Sequence, residues 1–162
     1  MKKDIADIRH DYQLKSLLEA DVSPNPYNQF TAWWNQAIES RIDEVNAMTL
    51  ATASATGVPS ARIVLLKSVD EEGFVFFTNY NSKKGNDLEE NPKASLVFFW
   101  KELERQVRIS GIVKKINAAY SDEYYNSRPL GSRIGAWASP QSTVIASREV
   151  IEKNIIEIES RF

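Results

Sequence analysis

Apolar positions recur at helical spacing over Phe30, Trp33, Trp34, Ala37 and Ile38, and from Ala47 onward the period shortens to that of strands. Asn25 is suited to cap a helix and Pro26 to open it, so the spacing predicts a helix over 26–42 whose tryptophan-bearing face covers the end of a core. Residues 1–25 form an N-terminal arm, with 3–17 weakly patterned as a short exposed helix or extended lead-in. Strands are predicted at 47–54, 60–69, 74–79, 93–100 and 105–116. Gly57, Asp70 to Gly73 and Lys101-Glu102 mark the turns, and Gly111 marks a candidate bulge. The link NSKKGNDLEENP has short helical potential, and 118–125 and 143–162 are predicted helical. Strand 93–100 (KASLVFFW) is apolar on both faces, which implies burial on both sides or a subunit contact. Five strands at short intervals predict an antiparallel barrel or sheet with flanking helices. The stripe Ile151, Ile155, Ile158 and Phe162 runs to the last residue without a capping glycine, the pattern of a helix cut short of its continuation.

Composition narrows the function classes. A chain of 162 residues fits one domain, 1–162, with a real core. The net charge of −2 provides no global positive field for nucleic acid or an anionic membrane, so any anion site is local. With no cysteine there is no disulfide or thiolate chemistry, and a lone His10 cannot build a histidine-rich metal centre. No apolar run approaches the roughly 18 residues that span a bilayer. The N-terminus MKKDIADIRHDY has no apolar signal core, so a cytoplasmic location is the expectation.

Chemistry concentrates in YYNSRPLGSRIGAWASPQS, residues 124–142, where Tyr124, Arg128, Ser132, Gln141 and Ser142 lie among Pro129, Gly131, Gly135 and Pro140. A guanidinium fits phosphate bidentately, and hydroxyl groups complete such a cradle. The stretch RIVLLK places Arg62 and Lys67 at the ends of an apolar strand, five residues apart and hence on opposite faces. Buried unpaired cations are costly, and a bound anion would relieve that cost. Thr78, and Ser82-Lys83-Lys84 at a possible helix start, are suited to a phosphate, although lysine pairs in loops are commonly solvated. Gln106 could hydrogen-bond the edge of a polar ring, and Glu104 with Arg105 reads as a surface pair. Together these residues predict a protein that holds phosphorylated small molecules.

At RIVLLK, FFTNYNSKK, LERQV and SRPLGSRIGAWASPQS the sequence resembles the pyridoxamine/pyridoxine 5′-phosphate oxidases, in order and spacing, over nearly the whole chain. The resemblance implies an antiparallel split β-barrel, the FMN-binding split-barrel fold, in a homodimer with FMN at the subunit interface. It implies FMN phosphate or ribityl contacts from Arg62, Lys84 and Ser142. Further flavin contacts are implied for Thr78, Lys83, Gln106, Gln141, Lys67 and the backbone of Ile63, Val64 and Leu65. Phe77 stands where many members have Tyr, and Lys83 where many have Arg; stacking and charge are kept. Lys67, Tyr124, Arg128 and Ser132 resemble the cradle for substrate phosphate, and Arg9 to Tyr12 resemble an arm over the substrate. The implied reaction oxidises pyridoxamine or pyridoxine 5′-phosphate at C4′ to pyridoxal 5′-phosphate, with dioxygen reduced to hydrogen peroxide. No side chain is assigned as a catalytic base, and no metal, nucleic acid or membrane is implied. The family's closing barrel strand, and a Trp and Arg-x-His segment beyond the last helix, have no counterpart here. A flavin- or pyridoxal phosphate-binding protein without oxidase activity is therefore the alternative, and a split-barrel dimer serving only as an interaction protein is a third reading.

Overall fold

The computed structural model describes residues 4–8, 11–14 and 16–161. Helix α1 spans Pro26–Glu39, and the Asn25 side chain accepts hydrogen bonds from the N–H groups of Tyr27 (2.8 Å) and Asn28 (3.3 Å), as the sequence predicts. The helix stops short of 42 because Ser40 closes it and Arg41 turns to a φ of 53°. Replacing Asn25 with alanine orphans those amides and is expected to cost about 1 kcal/mol, read as a lower denaturant midpoint at unchanged slope.

Four strands form one antiparallel sheet in the order β2-β1-β5-β6: β1 Ala47–Ala53, β2 Pro59–Leu65, β5 Lys93–Trp100 and β6 Arg105–Ile112. A separate ribbon pairs β3 Ser68–Asp70 with β4 Gly73–Val75. The expected strand 60–69 is thus two. The Leu66 amide donates to the Asn46 carbonyl and that of Lys67 to the Val75 carbonyl, so the chain changes sheets at this pair. Residues 76–79 leave the ladder, and β6 ends at Ile112 rather than 116. The β5–β6 register runs from Lys93↔Ile112 to Trp100↔Arg105 without a slip, so Gly111 marks no bulge. Among the described residues no pairing joins β2 to β6, and the sheet remains open rather than closing into a barrel.

The inner face of the sheet carries the core: Met48, Leu50, Val64, Leu96, Phe98 and Trp100, joined by Phe30 and Ala37 of α1. Phe30 anchors the helix, its ring 5.2 Å from that of Phe98 and 4.8 Å, edge-on, from that of Phe74. The buried Trp100 indole N–H donates to the Val45 carbonyl at 3.0 Å, so its polar atom is satisfied. Trp33 and Trp34 pack at the border of this core, as the helical spacing predicts.

Helix α2, Lys83–Glu90, opens on Ser82, whose Oγ accepts the Gly85 amide, and ends before Pro92. Three helices follow: α3 Ala118–Ser127, α4 Leu130–Ala138 and α5 Arg148–Glu159. Helix α4 was not predicted; it lies inside the motif-rich stretch, where two glycines and Pro129 mask its period. Among the described residues the arm is mostly exposed and irregular apart from short turns at Ile5–Asp7 and Glu19–Asp21. The Glu104 carboxylate accepts the amides of Gln13 (2.8 Å) and Leu14 (2.9 Å), while Arg105 lies 5.0 Å from the Trp33 ring. Glu104 and Arg105 therefore serve different neighbours instead of each other.

Candidate functional site

Two clusters of candidate residues form, joined by the segment from Phe77 to Lys84. The first lies where α2 begins against β1 and β2. Arg62 points to the inner face of the sheet, the same side as Val64. Its Nη1 donates to the Leu50 carbonyl (3.2 Å), the Thr52 hydroxyl (2.8 Å) and the Ser60 carbonyl (3.2 Å), and its Nη2 donates to the Ser60 hydroxyl (2.6 Å). Asp87, 5% exposed, accepts from the Thr52 hydroxyl at 2.8 Å and from Lys83 Nζ at 2.9 and 3.2 Å, with Arg62 Nη2 at 3.9 Å. The Lys83 hydrogen bond holds the Asp87 carboxyl below the usual carboxylate range; burial opposes that shift and the Thr52 hydroxyl reinforces it.

Lys84 is the unusual member. It is 9% exposed, and among the described residues its ammonium donates to neutral oxygens, Ser82 Oγ at 3.2 Å and Gln141 Oε1 at 2.8 Å. Burial, followed by the nearby Arg62 charge, pushes its pKa below the ordinary lysine range. Three cations, Arg62, Lys83 and Lys84, thus gather at this helix start with one carboxylate, Asp87, among the described residues, an imbalance that a dianionic phosphate would offset. The buried Thr78 Oγ1 finds no hydrogen-bond partner among the described residues, which leaves a further polar contact open near the same helix start. The Gln141 contact brings the 124–142 stretch to this cluster, and Ser142 beside it turns back with a φ of 64°. This donor set fits a phosphate-bearing cofactor of the kind the resemblance implies.

The second cluster is aromatic. Phe77 and Tyr124 stack with ring centroids 3.7 Å apart and planes 6° from parallel, and Lys67 Nζ lies 5.7 Å from the Tyr124 ring centroid. Tyr120 meets Phe77 edge-on at 5.8 Å, and its hydroxyl bonds the Ser68 hydroxyl at 3.1 Å, tying α3 to the residue after Lys67. Arg128 closes the end of α3, its amide donating to the Tyr125 carbonyl, and Ser132 lies in the first turn of α4. No hydrogen bond among the described residues joins their side chains to Lys67 or Tyr124.

The remaining candidates sit apart within one chain. Ile63 (65% exposed) and Leu65 lie on the outer face of the sheet, whereas Val64 is buried. Gln106 is exposed on that outer face, paired with Phe99 across β5 and β6. Tyr12 is exposed on the arm, and Arg9 and His10 lie outside the described residues. Sequence reasoning missed Thr52, Ser60 and Asp87. Asp87 carried a signal, standing four residues after Lys83 on a predicted helical link, but Thr52 is one hydroxyl in an apolar strand. Among the described residues no group of three or more His, Asp or Glu side chains could hold a metal, and no helix is long and apolar enough to cross a membrane.

An open antiparallel sheet flanked by helices, with a buried cationic cluster at one helix start, defines an α+β protein. The family profile described as pyridoxamine 5′-phosphate oxidase matches residues 34–162. A pyridoxine/pyridoxamine 5′-phosphate oxidase of Nostoc sp. is 57% identical over 162 residues, all of this chain and 76% of the relative. The corresponding protein of Cupriavidus metallidurans is 55% identical over 158 residues, 98% of this chain and 74% of its own. Among solved structures, PhzG from Burkholderia lata, in complex with tetrahydrophenazine-1-carboxylic acid, superposes with a TM-score of 0.83 at 28% identity, covering 90% of this chain and 73% of that one. A pyridoxamine 5′-phosphate oxidase-related, FMN-binding protein from Nostoc punctiforme shares the fold, with a TM-score of 0.59 at 18% identity over 81% of this chain and 73% of its own. The chain belongs to the pyridoxamine 5′-phosphate oxidase family, whose close relatives are named as oxidoreductases.

Proposed function

We propose that this protein binds FMN and oxidises pyridoxamine or pyridoxine 5′-phosphate to pyridoxal 5′-phosphate, with dioxygen as the final acceptor. The observation that carries the reading is the buried Lys84 ammonium near Arg62, whose hydrogen-bond partners among the described residues are neutral oxygens. Arg62, Lys84 and Ser142 hold the cofactor's phosphate and ribityl chain, and Thr78, Lys83, Gln106 and Gln141 make further contacts. Bound there, the flavin supplies a two-electron acceptor for hydride, chemistry that no side chain offers.

The protein's own contribution is position and charge. Lys67, Tyr124, Arg128 and Ser132 take the substrate phosphate, with Tyr124 braced by its stack on Phe77 and by the Tyr120 to Ser68 hydrogen bond. The backbone from Ile63 to Leu65 and the aromatic pair orient the flat rings. Two copies of the chain complete the site in this reading. Ile63, Leu65 and Phe99 are exposed on one sheet face together with Gln106, an apolar surface of the kind that a second copy covers.

Arg128→Ala tests the substrate half. Charge-assisted hydrogen bonds are worth about 1.5–3 kcal/mol, so the KM for pyridoxine 5′-phosphate should rise roughly 10- to 100-fold while FMN affinity holds. An unchanged KM removes Arg128 from the cradle. The PhzG likeness favours one further reading, a flavin protein of this fold acting on a different ring, and comparing substrates in the same assay separates the two.

A further inference from the structure

We propose that Asp87 is a positioning residue of the phosphate site, holding Arg62 and Lys83 in the orientation that receives the cofactor's phosphate. The inference rests on the FMN reading above and adds to it a carboxylate, where electrostatics alone would exclude one. Counting hydrogens sets the direction of the relay. Arg62 Nη1 can only donate, so Thr52 Oγ1 accepts from it at 2.8 Å. The single Thr52 hydroxyl proton then goes to Asp87 Oδ2, also at 2.8 Å. Asp87 must therefore accept on this side, and it accepts Lys83 Nζ on both oxygens as well.

Donors from both sides, Arg62 through Thr52 and Lys83 directly, thus converge on Asp87 and link β2, β1 and α2. Its fixed point is the carboxylate. The Asp87 side chain is 6% exposed, whereas that of Lys83 is 56% exposed and would otherwise sweep through solvent. Asp87 also brings the local charge from three cations to a net of two positive charges, the complement of a phosphomonoester dianion.

Asparagine at this position cannot replace the relay. Turning its oxygen to Thr52 presents an N–H to the Lys83 ammonium, and the reverse orientation leaves the Thr52 hydroxyl proton without its acceptor. The two physical accounts predict opposite signs. If Asp87 is only a negative charge near the anion site, Asp87→Asn tightens FMN binding; if it positions the cations, binding weakens.

The experiment titrates FMN and, separately, riboflavin, which lacks the phosphate, into the full chain and its variants, following flavin fluorescence. For Asp87→Asn the expected result is a loss in FMN affinity of about tenfold, the size of one charge-assisted hydrogen bond, with riboflavin affinity unchanged. Asp87→Glu restores part of the loss. Thr52→Val, which cuts the relay without altering charge, weakens FMN selectively as well and gives the same reading if Asp87→Asn does not fold. Unchanged or tighter FMN binding, or equal loss of both flavins in both variants, overturns the inference. A wild-type chain that binds no FMN overturns the flavin reading itself, and this inference with it.

Discussion

Arg62→Ala is expected to lower FMN affinity by on the order of 100-fold, about 2.7 kcal/mol, and to destabilise the fold as well. Both effects come from the same atoms. The guanidinium supplies charge to the proposed phosphate site while donating to Thr52, Leu50 and Ser60 and lying 3.9 Å from the Asp87 carboxylate. Removing it leaves the buried Asp87 carboxylate with the Lys83 ammonium and the Thr52 hydroxyl, and takes one donor from the Leu50 carbonyl and the Ser60 oxygens. Hydrogen bonds to a charged group are worth about 1.5–3 kcal/mol, and partial solvent access at the 21% exposed Arg62 side chain, with Lys83 still paired to Asp87, places the loss at about 2 kcal/mol. Arg62→Lys separates the two roles: charge survives and the fork of donors does not, so most of the stability loss should remain. Flavin titration and chemical denaturation of both variants check the pair of effects. A variant with full stability and full FMN affinity would remove Arg62 from the account.

Phe98→Ala is expected to be the more damaging change to the fold. Phe98 is fully buried, and its ring lies 5.2 Å from that of Phe30 and 5.5 Å from that of Trp100. Truncating a core phenylalanine costs about 3–5 kcal/mol, because the lost transfer energy is joined by that of the cavity left behind. For a chain of this size each kcal/mol shifts Tm by roughly 2–4 °C, so a fall on the order of 10 °C is expected by calorimetry. The neighbouring Phe99 serves as the contrast. It is 59% exposed on the outer face, so Phe99→Ala should change monomer stability far less. The alternation from Phe98 to Phe99 also explains how strand 93–100 can be apolar on both faces: one face is core, and the other is exposed.

Where local chemistry decided the structure, the sequence was legible. Asn25-Pro26 placed the start of α1, and the strand period located β1, β5 and the hairpin into β6 to within a few residues. Where long-range pairing decided, it was not. The run from Ser60 to Val69 is uninterrupted in pattern, yet the chain leaves β2 at Leu66 because the carbonyls of Asn46 and Val75 take successive amides. Helix α4 was hidden because Gly131, Gly135 and Pro129 are poor helix signals, while burial of Ile134 and Ala138 supports the helix from outside its own sequence. In the site, residue types that resemble a known cradle were readable as single positions. Their connection was not: Thr52 and Asp87 acquire meaning only when β1, β2 and α2 come together, and Gln141 reaches Lys84 across 57 residues.

The reading stands or falls on whether flavin bound at this site takes electrons from a phosphorylated B6 vitamer. The full chain, loaded with FMN and freed of oxygen, is mixed with pyridoxine 5′-phosphate while the visible flavin absorbance is followed. Bleaching of the flavin band, reversed when oxygen is admitted, is the predicted result. Flavin that stays bound and yellow under substrate would contradict the oxidase account and leave a binding protein in its place.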